Sequence, residues 1–290
     1  MGVKYSELLE IWKNTNLEFS EVILAQEMLD TGRDPLRVKQ NLKTLLTVML
    51  EESEKNYGKS FETLTGLTGS NGKKLSAHTP QMLSEFNHVA TVVAISMGES
   101  NASMGRIVAC PTAGSCGVVP GALYALYKVK NADFDSLLRA FIVGSGVGNV
   151  VAKRATLSGA AGGCQAEIGT ATAMASAMLT YYFSQDPIKV GNAAALSLKA
   201  LMGLVCDPVG GFVEVPCVKR NGNAVNVAIA SSEMALAGIE SVIPFDEVVE
   251  AMYNVGKSLP ESLRETGLGG IAATKTAQEI VENIRNKWNT

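Results

Sequence analysis

Three cysteines stand at breaks in an otherwise helical pattern, in Gly162-Gly163-Cys164-Gln165-Ala166-Glu167, Cys206-Asp207-Pro208-Val209-Gly210-Gly211 and Val215-Pro216-Cys217-Val218-Lys219-Arg220-Asn221. A structural cysteine normally sits inside an apolar face. A cysteine beside glycine or proline, where a helix starts or stops, can present its sulfur inward from a loop or helix end. Metal ligation is the chemistry this predicts. The spacings of 42 and then 11 residues differ from the compact pairs of zinc ribbons and small ferredoxins. Three thiolates without a fourth ligand suit a [4Fe-4S] cluster with one iron left open, which is a Lewis acid rather than an electron carrier, or a zinc ion completed by water. A helix over 168–183 follows Cys164 directly, so its N-terminal dipole is expected to lower that thiol's pKa.

Other reactive types are few. Histidine occurs only at His78 and His88, which makes a histidine-rich metal site impossible. Between Glu99 and Gly121, hydroxyl residues alternate with glycine just ahead of a helix containing Leu123 and Leu126. Such a loop offers donors to a carboxylate or phosphate at a helix N-terminus, and is equally consistent with a tight helix entry. Ser103, Thr112 and Ser115 are its candidate donors, with Arg220 or Lys153 as the balancing cation. Cys110 and Cys116 resemble a ligand pair, but the proline and glycine between them leave their geometry open. Glu167, His78 and His88 are the candidate general bases, alongside a residue from a second chain.

The elements that must position these groups are helical. Apolar residues recur at three- and four-residue steps from Tyr5 to Tyr57, with a stop at Gly32 and a new start at Asp34-Pro35. Residues 64–74 have no period and predict a loop, which could serve as a lid. Further helices are expected from Thr79-Pro80 to about Met97, then over 134–151, 168–183, 188–205, 225–239, 245–255 and 274–288, with a short extended stretch at 212–215. The small residues of 168–183 predict close helix packing at the centre of the molecule. Strand-like alternation is nearly absent, so the fold class is all-α. With no repeat and no low-complexity linker, residues 1–290 read as one domain.

Composition agrees with a large interior or a covered surface: 47% of residues are apolar and 18% charged. A net charge of −3 supports no electrostatic case for nucleic acid or an anionic membrane. Neither a basic-then-apolar leader at Met1-Gly2-Val3-Lys4-Tyr5 nor an uninterrupted membrane-length apolar run is evident, which predicts a cytoplasmic protein. Five cysteines without secretory context predict reduced thiols or metal ligands rather than disulfides.

The run Gly105-Arg106-Ile107-Val108 with Pro111-Thr112-Ala113-Gly114, followed by the three cysteine motifs in order, closely resembles the iron–sulfur L-serine dehydratases, in particular the separate alpha chain of the two-subunit type. The resemblance covers nearly the whole chain. It implies an all-helical alpha-chain fold, a [4Fe-4S] cluster on Cys164, Cys206 and Cys217, and conversion of L-serine to pyruvate and ammonia. It also implies that Cys110 and Cys116 belong to the substrate loop and are not ligands. Single-chain members carry a further domain ahead of this region, so a separate beta chain and an alpha–beta hetero-oligomer are implied here. Some of those members place a terminal cysteine on the open iron, whereas no cysteine follows Cys217 in this sequence. Rival expectations are a related lyase acting on L-threonine or L-cysteine, a pyridoxal-phosphate lyase, for which no lysine stands out, and a non-catalytic helical subunit.

Overall fold

The computed structural model describes residues 3–288; Met1, Gly2, Asn289 and Thr290, on which the expectations for both chain ends partly rest, lie outside the described residues. The architecture is all-α, with no strand among the described residues and a single bridge between Cys206 and Arg264. In chain order the helices are α1 (Tyr5–Lys13), α2 (Phe19–Thr31), α3 (Pro35–Asn56), α4 (Asn71–Ser76), α5 (Glu85–Ala102), α6 (Val118–Val129) and α7 (Phe134–Arg154). They continue with α8 (Gly159–Gly162), α9 (Thr170–Ser184), α10 (Pro187–Ala200), α11 (Cys217–Leu236), α12 (Phe245–Ser258) and α13 (Lys275–Trp288).

Local chemistry explains several of the helix starts. Asp34 accepts from Leu36 N at 3.0 Å with Pro35 in the first turn, and Asp186 accepts from Ile188 N at 2.8 Å with Pro187 in the same position. Asp133 caps α7 through Ser136 N. α5 begins six residues or so later than Thr79-Pro80 suggests, because Ser84 supplies the cap, accepting from Asn87 N at 3.2 Å. α10 stops at Ala200, and the chain then turns through Gly203, whose φ of +85° a helix cannot hold.

α9 is the central helix. Every residue from Thr170 to Tyr181 is buried, and α6, α7, α10 and α11 pack around it. Small side chains let the neighbours approach: a methyl placed on Gly144 of α7 would stand 2.9 Å from Met174 O. Two buried hydroxyls of α9 are bonded between helices, Ser176 with Ser197 at 2.9 Å and Thr180 to Ser232 at 2.9 Å, whereas Thr172 donates back to Ile168 O and Thr170 Oγ1 has no partner among the described residues. Each such bond contributes about 1 kcal/mol net, and leaving either partner alone would cost more. α7 is long and apolar enough by composition to cross a bilayer, contrary to the sequence expectation, but 67% of its most apolar window is buried inside the fold. It is a core helix.

The aperiodic stretch 64–74 is pinned on two sides rather than free, and its end forms α4. The fully buried Glu99 of α5 accepts from Gly69 N, Asn71 N and Gly72 N, while the buried Glu214 accepts from Thr65 N at 2.9 Å and Thr68 Oγ1 at 3.0 Å. Two carboxylates saturated by loop donors hold this segment as a fixed wall.

Candidate active site

Cys164 sits between α8 and a single π-helical turn, Gln165–Gly169, that leads into α9. A π turn shifts the side chains that follow it and is frequent at functional sites. Gln165 fixes the turn from inside, donating to Gly162 O and Met252 O and accepting from Gly203 N. Cys206 lies in the irregular segment after α10, and Cys217 is the first residue of α11. The helix expected over 225–239 therefore begins earlier, at Cys217. In the fold Asn221 is a linchpin: its Nδ2 donates to Gly114 O at 2.8 Å and Cys217 O at 3.0 Å, and its Oδ1 accepts from Gly117 N at 2.9 Å. Gly222 lets α11 meet Ile95 and Thr91 of α5.

The three thiols are buried, unpaired and within electrostatic range of one another. Burial pushes Cys164 up to about 11, with the Arg220 guanidinium opposing, and pushes Cys217 up to about 12, with Cys164 adding to it. Cys206 is raised further, by burial first and then by the neighbouring Cys164 and Glu167. The expected lowering of the Cys164 pKa by the helix dipole is therefore overturned in the metal-free chain, because desolvation of a thiolate outweighs a partial charge at a helix end. Among the described residues, no three His, Cys, Asp or Glu side chains converge as ligands of a single ion.

Glu167 joins this group. Its Oε2 is 3.9 Å from Cys206 Sγ, and burial raises its carboxyl pKa while a hydrogen bond from Thr112 opposes the rise. Glycine makes room here: a methyl on Gly159 would lie 2.5 Å from Glu167 Oε2 and 3.0 Å from Cys206 Sγ. Arg220 spans the site, donating to Val205 O at 2.9 Å and to Asp207 Oδ1 at 2.8 Å, while a hydrogen bond to Cys164 lowers that thiol's pKa. Thr112 and Ser115 belong to the adjoining hydroxyl loop, their oxygens 3.1 Å apart, and a methyl on Gly114 would stand 3.7 Å from Glu167 Oε1.

The structure thus brings Cys164, Cys206, Cys217, Glu167, Arg220, Thr112 and Ser115 into one neighbourhood. It does not bring Lys153 there: that ammonium is paired with Asp30 of α2, an alternative that a sequence pattern cannot reveal. Ser103 closes α5, donating to Ser100 O at 2.9 Å, and shows no contact with the thiols. His78 follows α4 and His88 lies on α5, the two close enough that His78 adds to the lowering of the His88 pKa by burial. Neither contacts the thiols. Cys110 and Cys116 are buried, and burial pushes both up to about 12. The sequence reading missed the stretch 263–271, which closes on Cys206 and Asp207: Cys206 N donates to Leu263 O and Ile271 N to Asp207 Oδ2. Its glycine-rich run Gly267-Leu268-Gly269-Gly270 was the available signal.

A family model described as "Serine dehydratase alpha chain" matches residues 14–272. The "Probable L-serine dehydratase, alpha chain" of Bacillus subtilis is 43% identical over 281 residues, covering 96% of this chain and 93% of that protein. The "L-serine dehydratase, alpha chain" of Peptoniphilus asaccharolyticus is 38% identical over 277 residues, covering 94% and 95% respectively. The "L-serine dehydratase" of Streptomyces coelicolor is 32% identical over 274 residues, 92% of this chain but only 59% of that longer protein. By the family match over most of its length and by these identities, this chain belongs to the serine dehydratase alpha chain family.

Proposed function

We propose that this chain is the alpha chain of an L-serine dehydratase, a cytoplasmic lyase that converts L-serine to pyruvate and ammonia, with a [4Fe-4S] cluster held by Cys164, Cys206 and Cys217. The observation that carries the proposal is the proximity of three buried thiols from three separate segments, beside the half-buried carboxylate of Glu167, in a chain of this family. The donor set fits such a group. Thiolates are the ligands of iron–sulfur clusters, Arg220 offsets their charge at Cys164, and a trio that does not converge on a single ion suits a polynuclear group better than zinc. When bound, a cluster with one iron free of protein ligands supplies a Lewis acid toward the substrate hydroxyl.

The protein's own residues then do the rest. Thr112 and Ser115 offer hydroxyls to the substrate carboxylate, and Arg220 contributes positive charge on that side. Glu167 takes the Cα proton. Burial raises its carboxyl pKa, which makes it a stronger proton acceptor than a solvated carboxylate. Loss of the β-hydroxyl leaves aminoacrylate, which tautomerises to an imine and hydrolyses.

A separate beta chain completes the enzyme. Relatives called alpha chains match along nearly their full length, while the Streptomyces protein extends well beyond the matched region. Anaerobic purification followed by iron and sulfide analysis, with pyruvate release assayed from L-serine, L-threonine and L-cysteine, tests the proposal. Stoichiometric iron with serine turnover supports it; serine turnover with a sharp yellow aldimine band and no iron overturns the cofactor. Adding the beta chain is expected to raise turnover by orders of magnitude without altering iron content.

A further inference from the structure

Asn221 follows Cys217 by four residues, one turn along α11, and side chains so spaced lie on one face of a helix. It is buried, and both ends of its amide are bonded. One hydrogen of Nδ2 goes to Cys217 O at 3.0 Å, within the helix. The other goes to Gly114 O at 2.8 Å, and Oδ1 accepts from Gly117 N at 2.9 Å, so two of the three bonds reach out to the hydroxyl loop.

That loop is partly tied to itself. Ser115 Oγ lies 3.1 Å from Thr112 Oγ1 and accepts from Thr112 N at 3.3 Å, which sets the two hydroxyls relative to each other but not relative to the thiols. On one side the loop rests on α5, where Cys116 Sγ donates to Met97 O at 3.6 Å and Gly117 packs on the Ala94 carbonyl. On the other side Gly114 approaches the site: a methyl there would stand 3.5 Å from Val213 and 3.7 Å from Glu167 Oε1. Asn221 holds the carbonyl of that same residue, so the helix that begins with Cys217 also fixes where the loop stands. A matched amide sits further along α11. Asn226 Nδ2 donates to Gly222 O at 2.9 Å, again four residues back, and to Thr91 Oγ1 at 2.7 Å, while its Oδ1 accepts from Asn87 Nδ2 at 2.9 Å. Those bonds run along α11 and to α5 alone.

We infer that Asn221 is a positioning residue, which sets the hydroxyls of Thr112 and Ser115 in register with Cys217 so that a substrate gripped by the loop is presented to the thiol site. The inference rests on the amino-acid lyase reading, in which this loop takes the substrate carboxylate. Asparagine suits the task because two carbonyls and one N–H must be satisfied by a single buried side chain. Serine has one donor and an ionised aspartate none. A displaced loop grips the carboxylate in the wrong place, and misplacement far smaller than a bond length is enough to cost turnover.

The test compares Asn221→Ser with Asn226→Ser in the iron-loaded protein together with its beta chain. A serine within a helix returns its hydroxyl to the carbonyl four residues back, so each variant keeps the bond along α11 and loses those that leave it. Amide exchange in peptides covering 112–117 is expected to quicken about 10-fold in Asn221→Ser, the equivalent of one net hydrogen bond, and to keep the wild-type rate in Asn226→Ser. KM for L-serine should rise about 10- to 100-fold in the first variant with kcat within about threefold of wild type, because the loop grips the carboxylate alike before and during reaction. Asn226→Ser should keep the wild-type KM, and both variants the wild-type iron content. An equal KM shift in the two variants, or an unchanged KM, unchanged loop exchange or loss of iron in Asn221→Ser, would overturn the assignment. Asn221→Asp keeps the side-chain volume and the bond from Gly117 N, and repeats the comparison if Asn221→Ser does not fold. Failure of both to fold would make Asn221 a structural residue and overturn the assignment too. A wild-type assembly that releases no pyruvate from L-serine sinks the functional reading instead, a result distinct from any difference in loop exchange between the variants.

Discussion

Cys206 Sγ and Glu167 Oε2 are 3.9 Å apart, so a thiol from the loop after α10 and a carboxylate from the π turn before α9 share one buried site. The proximity sets roles that can be separated by experiment. Glu167→Gln keeps the shape and the neighbouring sulfur but removes the proton acceptor. Turnover of L-serine should fall by about two to four orders of magnitude, the usual contribution of a general base, while iron content stays at the wild-type level. Retention of near-normal turnover would move the base to His78, His88 or the beta chain.

Replacing Cys164, Cys206 or Cys217 by serine should each abolish cluster binding, since each removes one of three thiolates. Cys110→Ser and Cys116→Ser should retain the cluster. Both of the latter are almost fully buried, so the serine hydroxyl costs roughly 1–3 kcal/mol of stability where it finds no partner. Anaerobic iron and sulfide analysis separates the two groups, and full iron content in a variant of the first set would remove that residue from the ligands.

Arg220→Ala should be destabilising as well as inactivating. The guanidinium is bonded to Asp207, whose side chain is only 3% exposed, and to Val205 O, so its removal strands a buried carboxylate. Breaking such a pair from one side costs about 3–5 kcal/mol. Arg220→Lys keeps the charge but not the fork that reaches both acceptors, and should recover only part of the loss. Urea midpoints of the metal-free chain measure this without reference to activity; an unchanged midpoint for Arg220→Ala would refute it.

The metal-free chain should lose stability in alkali. Burial pushes Cys110 and Cys116 up to about 12 in the folded chain, against roughly 8.5 for an unfolded thiol. Above the unfolded value the unfolded state sheds protons that the folded state keeps. The stability these thiols contribute is therefore complete below about pH 8 and declines as pH rises toward their folded values. Urea midpoints at pH 8 and pH 10 should show the fall, and Cys110→Ala should flatten it. A profile that is level over this range in the wild-type chain would contradict the burial argument.

Much of the fold was legible because helix signals are local. Asp34-Pro35 starts α3 as its sequence suggests, and the small residues after Cys164 do form the buried central helix. The errors share a cause. The helix expected over 225–239 starts at Cys217 instead, with Asn221 bonded to Gly114 and Gly222 admitting α5 inside its first turns. Tertiary contacts override propensity there.

The sequence by itself determined the helical class, the three cysteine motifs and the resemblance that they carry, since residue type, period and order are properties of a linear chain. Only the tertiary structure decided which charges belong to the site. Arg220 and Lys153 are indistinguishable as cations along the chain, but one is engaged by Asp207 beside the thiols and the other is held by Asp30. Likewise, desolvation rather than the helix dipole governs the Cys164 thiol, and the stretch 263–271 closes on Cys206 through a backbone bridge far from it in sequence. Burial and long-range pairing arise from how the helices pack, and no local pattern encodes them.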